Sequence, residues 1–466
     1  MPANQNPFNL ASLRVAALSF LFAVAFLSCS SNADAGQTLD QVTSYIDGQI
    51  TLSTEVDSVA DFSGFEVLIG KVVENTIDTL AHTETDAAGF FAMNVTVPKS
   101  DVYSLVIARD GAVLKVDEMV VAQDDSASIK MKFPFGNRPV LVRSHENAAL
   151  LGYKNTMTLY DQDLKKYALS GTATNEDYDN LVAQTTQMLW NLRETNTGTI
   201  AARLASVQSI LLLEGWNDSL AVARTKLVDK DSDIFGALIG TARRAELRYG
   251  GSESSIELMN ALREGMTNED NLVILQSELV LALRDAGKSE EALEAARMLK
   301  MEYATDTTWI EWADKAIYDL EILGPGMPAP GFNAIDVDGV VVNLDVFKGK
   351  HIVLEFYAPG SRFEEDLFFR NQAYRASGDT PAFEILSFSL QPDSLLNSAF
   401  FDGRDIPGRH VFLPDGGDAA ILDVYNVIVL PTRFLIDPES NIVGKYVLGN
   451  GLRAFQEAQS RSMTTN

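Results

Sequence analysis

A cluster of prolines and glycines, Gly324-Pro-Gly-Met-Pro-Ala-Pro-Gly331, interrupts this 466-residue chain well past its middle. Proline cannot continue a helix or a central strand, and glycine weakens both, so the cluster ends one folded region and a new one begins after it. The hydrophobic pattern differs on the two sides and changes once more upstream. From Gln49 to Phe133, short stretches rich in β-branched residues, such as Phe65 to Val73 and Tyr103 to Arg109, alternate with turn signals. They predict an antiparallel β-sandwich over 48–135. Beyond Pro139 the periodicity is helical, which predicts an all-α region of helical hairpins over 140–322. After the cluster, apolar runs such as Ile352 to Tyr357 alternate with helical segments. That is the pattern of a mostly parallel or mixed α/β sheet covered on both faces, over 323–466.

The helical region contains a repeat. Gly215, Gly251 and Gly287 recur at intervals of 36 residues, and each is followed by an apolar residue five positions on (Leu220, Ile256, Ala292) and another at eight (Ala223, Met259, Ala295). This spacing puts each pair on one helix face. The stretch from Ala286 to Ala295 resembles a tetratricopeptide repeat, which implies stacked hairpins with a concave face for peptides; a plain helical bundle without a ligand is the alternative. In the β-rich region, Thr85-Asp86-Ala-Ala-Gly89-Phe90-Phe91 resembles the TDxxGxF hairpin of prealbumin-like and carboxypeptidase-regulatory-like domains. Asp86 is read as a turn former rather than a calcium ligand, because no second acidic cluster accompanies it.

Cys29 is the only cysteine. One cysteine forms no internal disulfide, redox pair or cysteine-rich zinc site. It follows an uncharged apolar run, Val15 to Leu27, preceded by Arg14. The run is too short to span a bilayer but suits the hydrophobic part of a signal peptide. Leu27-Ser28-Cys29-Ser30 resembles the lipobox of bacterial lipoproteins, with Phe26 where leucine is usual. The resemblance implies a signal peptide over 1–28, lipidation of Cys29 and a tether over 29–47. It also implies membrane attachment through two or three acyl chains. Ser30 and Ser31 lack the aspartate that holds some lipoproteins in the inner membrane, so the expected location is the cell envelope, at the outer membrane facing the periplasm. A net charge of −27 argues against a nucleic-acid partner.

Four motifs after the linker resemble, in order, the TlpA and AhpC/TSA redoxin branch of the thioredoxin superfamily. They are Gly326-x-Pro328-Ala329-Pro330-x-Phe332, Asp338-Gly339 with Leu344 to Lys350, Leu354 to Ala358, and Tyr425 to Asp437 around Pro431. The resemblance implies a thioredoxin-like fold in which Pro431 is the cis-proline and Ser361 and Glu364 stand at the two CxxC positions. Leu367 stands where many members keep a glutamate. Thiol exchange requires a thiolate, and a serine hydroxyl cannot replace it. The expected function is therefore a non-catalytic binding or scaffold protein for an envelope protein or peptide, with Leu430, Pro431 and Tyr357 forming the binding surface. A thiol-disulfide oxidoreductase is the alternative. The resemblance leaves Pro431 two roles, contacting a peptide or only keeping the turn. No cofactor or metal is expected. His82, His145, His351 and His410 lie in separate segments without metal-ligand spacing, and His351 and His410 are read as strand-edge residues. Glu355, inside an apolar strand, is read as a structural buried acid with a raised pKa.

If Cys29 carries the lipid, Cys29→Ser will abolish incorporation of labelled palmitate and move the protein from the membrane to the soluble fraction. Undiminished labelling of this variant would rule the assignment out.

Overall fold

The computed structural model describes residues 41–52, 61–73, 76–136, 139–376, 383–447 and 451–464. Cys29, the signal segment and the first part of the tether lie outside them. The described residues form two compact units, one of 41–249 with 266–271 and one of 250–265 with 272–464.

The first unit opens with eight strands: β1 (Val42–Leu52), β2 (Phe65–Val73), β3 (Thr76–Glu84), β4 (Phe90–Val97), β5 (Asp101–Arg109), β6 (Ala112–Val121), β7 (Ala127–Phe133) and β8 (Leu141–Arg143). They make two four-stranded sheets, ordered β4-β1-β7-β8 and β3-β2-β5-β6. Alternation drives the pairing of these sheets: along β4, Phe91, Met93, Val95 and Val97 are buried while the residues between them are exposed. They join Ile46, Ile50, Val67, Leu105, Ile107 and Ile129 in one core drawn from both sheets.

Three expectations need correction here. Strand β1 starts at Val42, so residues 42–47 are strand rather than tether, because Val42 to Gln49 pair with β4. The pairing of β1 with β7 is parallel, so the β region is not wholly antiparallel. Leu141–Arg143 pair with β7 as strand β8, which takes three residues from the expected helical region. The turn at Asp86 behaves as read: its carboxylate accepts the N–H groups of Ala88 and Phe90, both at 2.9 Å. Gly89 has φ +79°, and a Cβ there would lie 2.0 Å from the Ile50 carbonyl oxygen, so only glycine fits.

Helices follow: α1 (His145–Ser170), α2 (Asn175–Thr195), α3 (Ile200–Leu213), α4 (Asp218–Thr225) and α5 (Gly236–Tyr249), then α6 (Ser252–Arg263), α7 (Glu269–Asp285), α8 (Ser289–Glu302) and α9 (Thr307–Glu321). Gly215, Gly251 and Gly287 adopt φ values of +78°, +91° and +74° at the turns that lead into α4, α6 and α8. The repeat is thus a helix-start signal that needs a left-handed residue. Its predicted face holds in α6, where Ile256 and Met259 are buried, but not in α4, where Ala223 is exposed. There the buried Arg224 donates to the Thr186 carbonyl at 3.1 Å and to Ser209 at 2.6 Å, and this sets the helix rotation.

In the second unit, strands β9 (Ala334–Ile335) and β10 (Val341–Val342) form a hairpin. Five more strands, β11 (Ile352–Tyr357), β12 (Glu384–Ser389), β13 (Arg409–Phe412), β14 (Thr432–Ile436) and β15 (Ile442–Val447), form a sheet ordered β13-β12-β11-β14-β15. The first three strands in that order are parallel, β14 runs antiparallel to β11, and β15 runs antiparallel to β14. Three helices longer than one turn, α10 (Ser361–Arg375), α11 (Ser394–Phe401) and α13 (Arg453–Thr464), and the short α12 (Ala420–Val424) accompany it. Alternate residues of β11 enter two cores. Leu354 and Phe356 pack with Leu422 and Tyr425, while Val353 packs with Ala373 of α10 and Phe455 of α13. Helix α9 is joined to this sheet: Lys445 bonds Asp319 at 2.8 and 3.0 Å, and the Asn426 side chain donates to the Lys315 carbonyl and to Asp319.

In the first unit Asn147 ties α1 to β6, accepting the Val120 N–H at 2.8 Å and donating to its carbonyl at 2.9 Å. Asn147→Ala leaves both buried groups unpaired and should cost about 2–4 kcal/mol. Chemical denaturation will measure this as a lowered midpoint.

Candidate functional site

Strand β11 runs into Ala358-Pro359-Gly360, and α10 begins at Ser361. Because β14 runs antiparallel to β11, with Thr432 opposite Phe356, residues 430–431 lie at the end of the sheet where α10 starts. The Leu430–Pro431 bond is cis, Pro431 is buried, and Leu430 is half-buried against the core. The sequence-predicted Ser361, Glu364, Leu430 and Pro431 are thereby brought to one sheet end. Glu364 is exposed in the first turn of α10, where the helix dipole favours an acid. Arg404 holds its carboxylate at 3.1 Å while bonding the Phe400 carbonyl at 2.7 Å.

Tyr357 does not join this surface. Its side chain is fully buried and stacks on Phe363 with ring centroids 3.9 Å apart, in a cluster with Phe400 and Ile406. Burial raises its pKa, so the hydroxyl stays neutral. The alternation of β11 explains this placement, since Tyr357 shares the helix-covered face with Val353 and Glu355.

That same face carries a polar row which the sequence alone did not reveal. Strand register aligns Tyr446, Arg433, Glu355, Ser387 and His410 across all five strands. Glu355 is fully buried and accepts from Arg433 at 2.7 Å, Arg370 of α10 at 3.1 Å and Ser387 at 3.0 Å. Arg433 also pairs with Asp366 of α10 at 2.8 Å. Burial pushes the Glu355 pKa up, but Arg370, Arg433 and the bonds to Arg433 and Ser387 outweigh it and hold the carboxyl below its ordinary range. The expected raised pKa is therefore corrected to a lowered one. Burial lowers the pKa of Arg370, whereas Glu355 and Asp366 overcome burial and raise that of Arg433. The two carboxylates and two guanidiniums balance in charge, which is what permits their burial.

The histidines separate as follows. His82 lies 3.8 Å from Glu66, and His145 opens α1, both in the first unit. His351 is buried just before β11, and burial lowers its pKa. His410 lies within β13, the outer strand of the sheet, and is buried. Its Nε2 contacts the Ile406 carbonyl at 3.0 Å, and since a carbonyl only accepts, Nε2 carries the hydrogen. Nδ1 has no hydrogen-bond partner among the described residues, so protonation would bury an unpartnered charge. Burial, with Arg370 nearby, lowers this pKa to about 4. Among the described residues no group of three or more His, Cys, Asp or Glu is placed to hold a metal ion.

No family model matches the chain. Over 119 residues it is 29% identical to the thiol-disulfide oxidoreductase ResA of Bacillus thuringiensis subsp. konkukian, a match covering 25% of this chain and 66% of that protein. A ResA of Bacillus cereus strain ZK is 27% identical over 130 residues, covering 28% of this chain and 73% of the relative. The chain thus spans just under two thirds of the first of these relatives. Among solved structures, the thioredoxin domain of a thiol-disulfide oxidoreductase from Bacteroides vulgatus aligns at 24% identity with a TM-score of 0.27, over 30% of this chain and 98% of that one. A putative thiol:disulfide interchange protein DsbE from Chlorobium tepidum aligns at 23% identity with a TM-score of 0.25, over 29% and 95%. Over about a quarter of its length, then, the chain is similar to proteins named as thiol-disulfide oxidoreductases.

The lowered pKa of His410 makes stability depend on pH in a definite direction. The unfolded chain binds a proton near pH 6.5 that the folded chain accepts only near pH 4, so stability is fully present above pH 6.5 and falls between those values. His410→Gln should remove up to about one proton from the slope of unfolding free energy over that window, measured by urea denaturation at a series of pH values.

Proposed function

We propose that this chain is a lipid-anchored envelope protein whose thioredoxin-like domain binds a protein or peptide and no longer exchanges thiols. The observation that carries this reading is the start of α10. The helix opens on Ser361 and carries Glu364 three residues on, while the only cysteine of the chain is Cys29. A disulfide is attacked by a thiolate, and neither a hydroxyl nor a carboxylate does so at neutral pH. The ion pair of Glu364 with Arg404 further commits that carboxylate to surface structure.

Loss of the thiols leaves the backbone at Leu430 and Pro431, which in this reading receives an extended segment of an envelope partner. Lipidation at Cys29 would hold the domain at the outer membrane, facing the periplasm. The second reading, a thiol-disulfide oxidoreductase, is favoured by the activity named for the relatives; on this sequence it requires a partner to bring both thiols.

An insulin-reduction assay on the chain lacking residues 1–28 separates the two. The expected rate equals the background with dithiothreitol alone, and Ser361→Cys with Glu364→Cys should raise it. Turnover by the unaltered chain would overturn the proposal.

A further inference from the structure

The five-stranded sheet ends at β13, which β12 and β11 separate from the cis-proline strand β14. Along β13, the Leu413 N–H donates inward to Ser389, so His410 and Phe412 direct their backbone groups outward. The Val337 N–H of the β9–β10 hairpin meets the His410 carbonyl from outside at 2.9 Å. Beside Phe412 lies an open depression of about 710 Å³, lined by Val337, Ser398, Ala399, Phe401, Asp402 and Phe412. Its aromatic floor is fixed, because the Phe401 ring packs on His410 at 4.6 Å and on Phe412 at 5.7 Å.

The hairpin extends the apolar character. Ile335 and Val341 face each other in register and are 64% and 57% exposed, with Val337 and Val340 also exposed. Exposed aliphatic groups clustered in this way beside a groove mark an interaction surface rather than scattered surface residues. The charge nearby is negative. Arg409 is engaged by Asp336 at 3.3 Å and Arg404 by Glu364, whereas exposed Asp338 and Asp402 carry no ion pair among the described residues.

We propose that the β13 edge, with the depression between α11 and the β9–β10 hairpin, docks an extended polypeptide segment that presents an apolar side chain flanked by lysine or arginine. The segment's backbone pairs with Phe412, continuing the line that Val337 begins. Its apolar side chain enters the depression and its cations meet Asp338 and Asp402. This site is distinct from the Leu430–Pro431 surface and does not depend on it.

The test uses the full-length chain in phosphatidylcholine nanodiscs, with empty discs as baseline, and fluorescence anisotropy of two labelled peptides. One is Lys-Val-Phe-Val-Thr-Lys, and the other replaces both lysines with glutamate. The lysine peptide should bind about tenfold tighter. Asp338→Asn with Asp402→Asn should erase that preference. Ala399→Trp, a change at an exposed position that fills the depression, should abolish binding of both peptides without altering thermal unfolding. Equal binding of the two peptides, or binding indifferent to Ala399→Trp, would overturn the proposal. So would loss of binding only in Ile428→Glu, which would place the peptide at the cis-proline loop. A dimer in sedimentation that Ala399→Trp dissolves would overturn it too, since a second copy would then be the occupant.

Discussion

A carboxylate with no solvent contact, Glu355, sits at the middle of the central strand of the second unit, and the surrounding elements converge on it. Arg433 reaches it from the cis-proline strand, Arg370 from α10 and Ser387 from β12. Taking four charges out of water is tolerable only when each finds its partner, so this cluster demands one register of the strands and one position of the helix. Removing one member of such a pair typically costs about 3–5 kcal/mol, because the charge left behind stays buried. The start of α10 and the cis-proline are thus held relative to each other by an ionic link and not only by apolar packing.

That link bears on the functional reading. In a thiol-exchanging domain the two sulfurs at the start of the helix would do the chemistry, and the scaffold would only position them. At the start of α10 this chain carries Ser361 and Glu364, the second of which is engaged by Arg404; in the proposed reading they stand where such sulfurs would be. It is the rigidity given by the ionic link that the proposed binding role draws on. The β13 edge of the sheet offers a separate surface of another kind, with outward backbone groups, an aromatic floor and nearby exposed carboxylates that form no ion pair among the described residues.

Much of this organisation is legible in the amino-acid sequence. The Pro/Gly cluster marks the entry to the last α/β region, the alternation in Phe90–Val97 marks a half-buried strand, and the glycines at 215, 251 and 287 mark helix starts. The departures share a cause. Tyr357 reads as a surface aromatic because its motif abuts the helix start, but the strand's period of two sends it under α10 beside Glu355. Ala223 reads as core by spacing, but the buried Arg224 turns α4 so that Ala223 faces solvent. The parallel pairing of β1 with β7 joins segments far apart in the chain, and local pattern carries no record of such partners.

The order of the regions and the presence of a single cysteine, Cys29, follow from which residues exist and how they are spaced along the chain. Folding adds what spacing does not contain: Glu355 keeps its charge, His410 is held neutral and Tyr357 is inaccessible. Each of those depends on the distance between residues remote in sequence, and electrostatic and packing energies are functions of that distance.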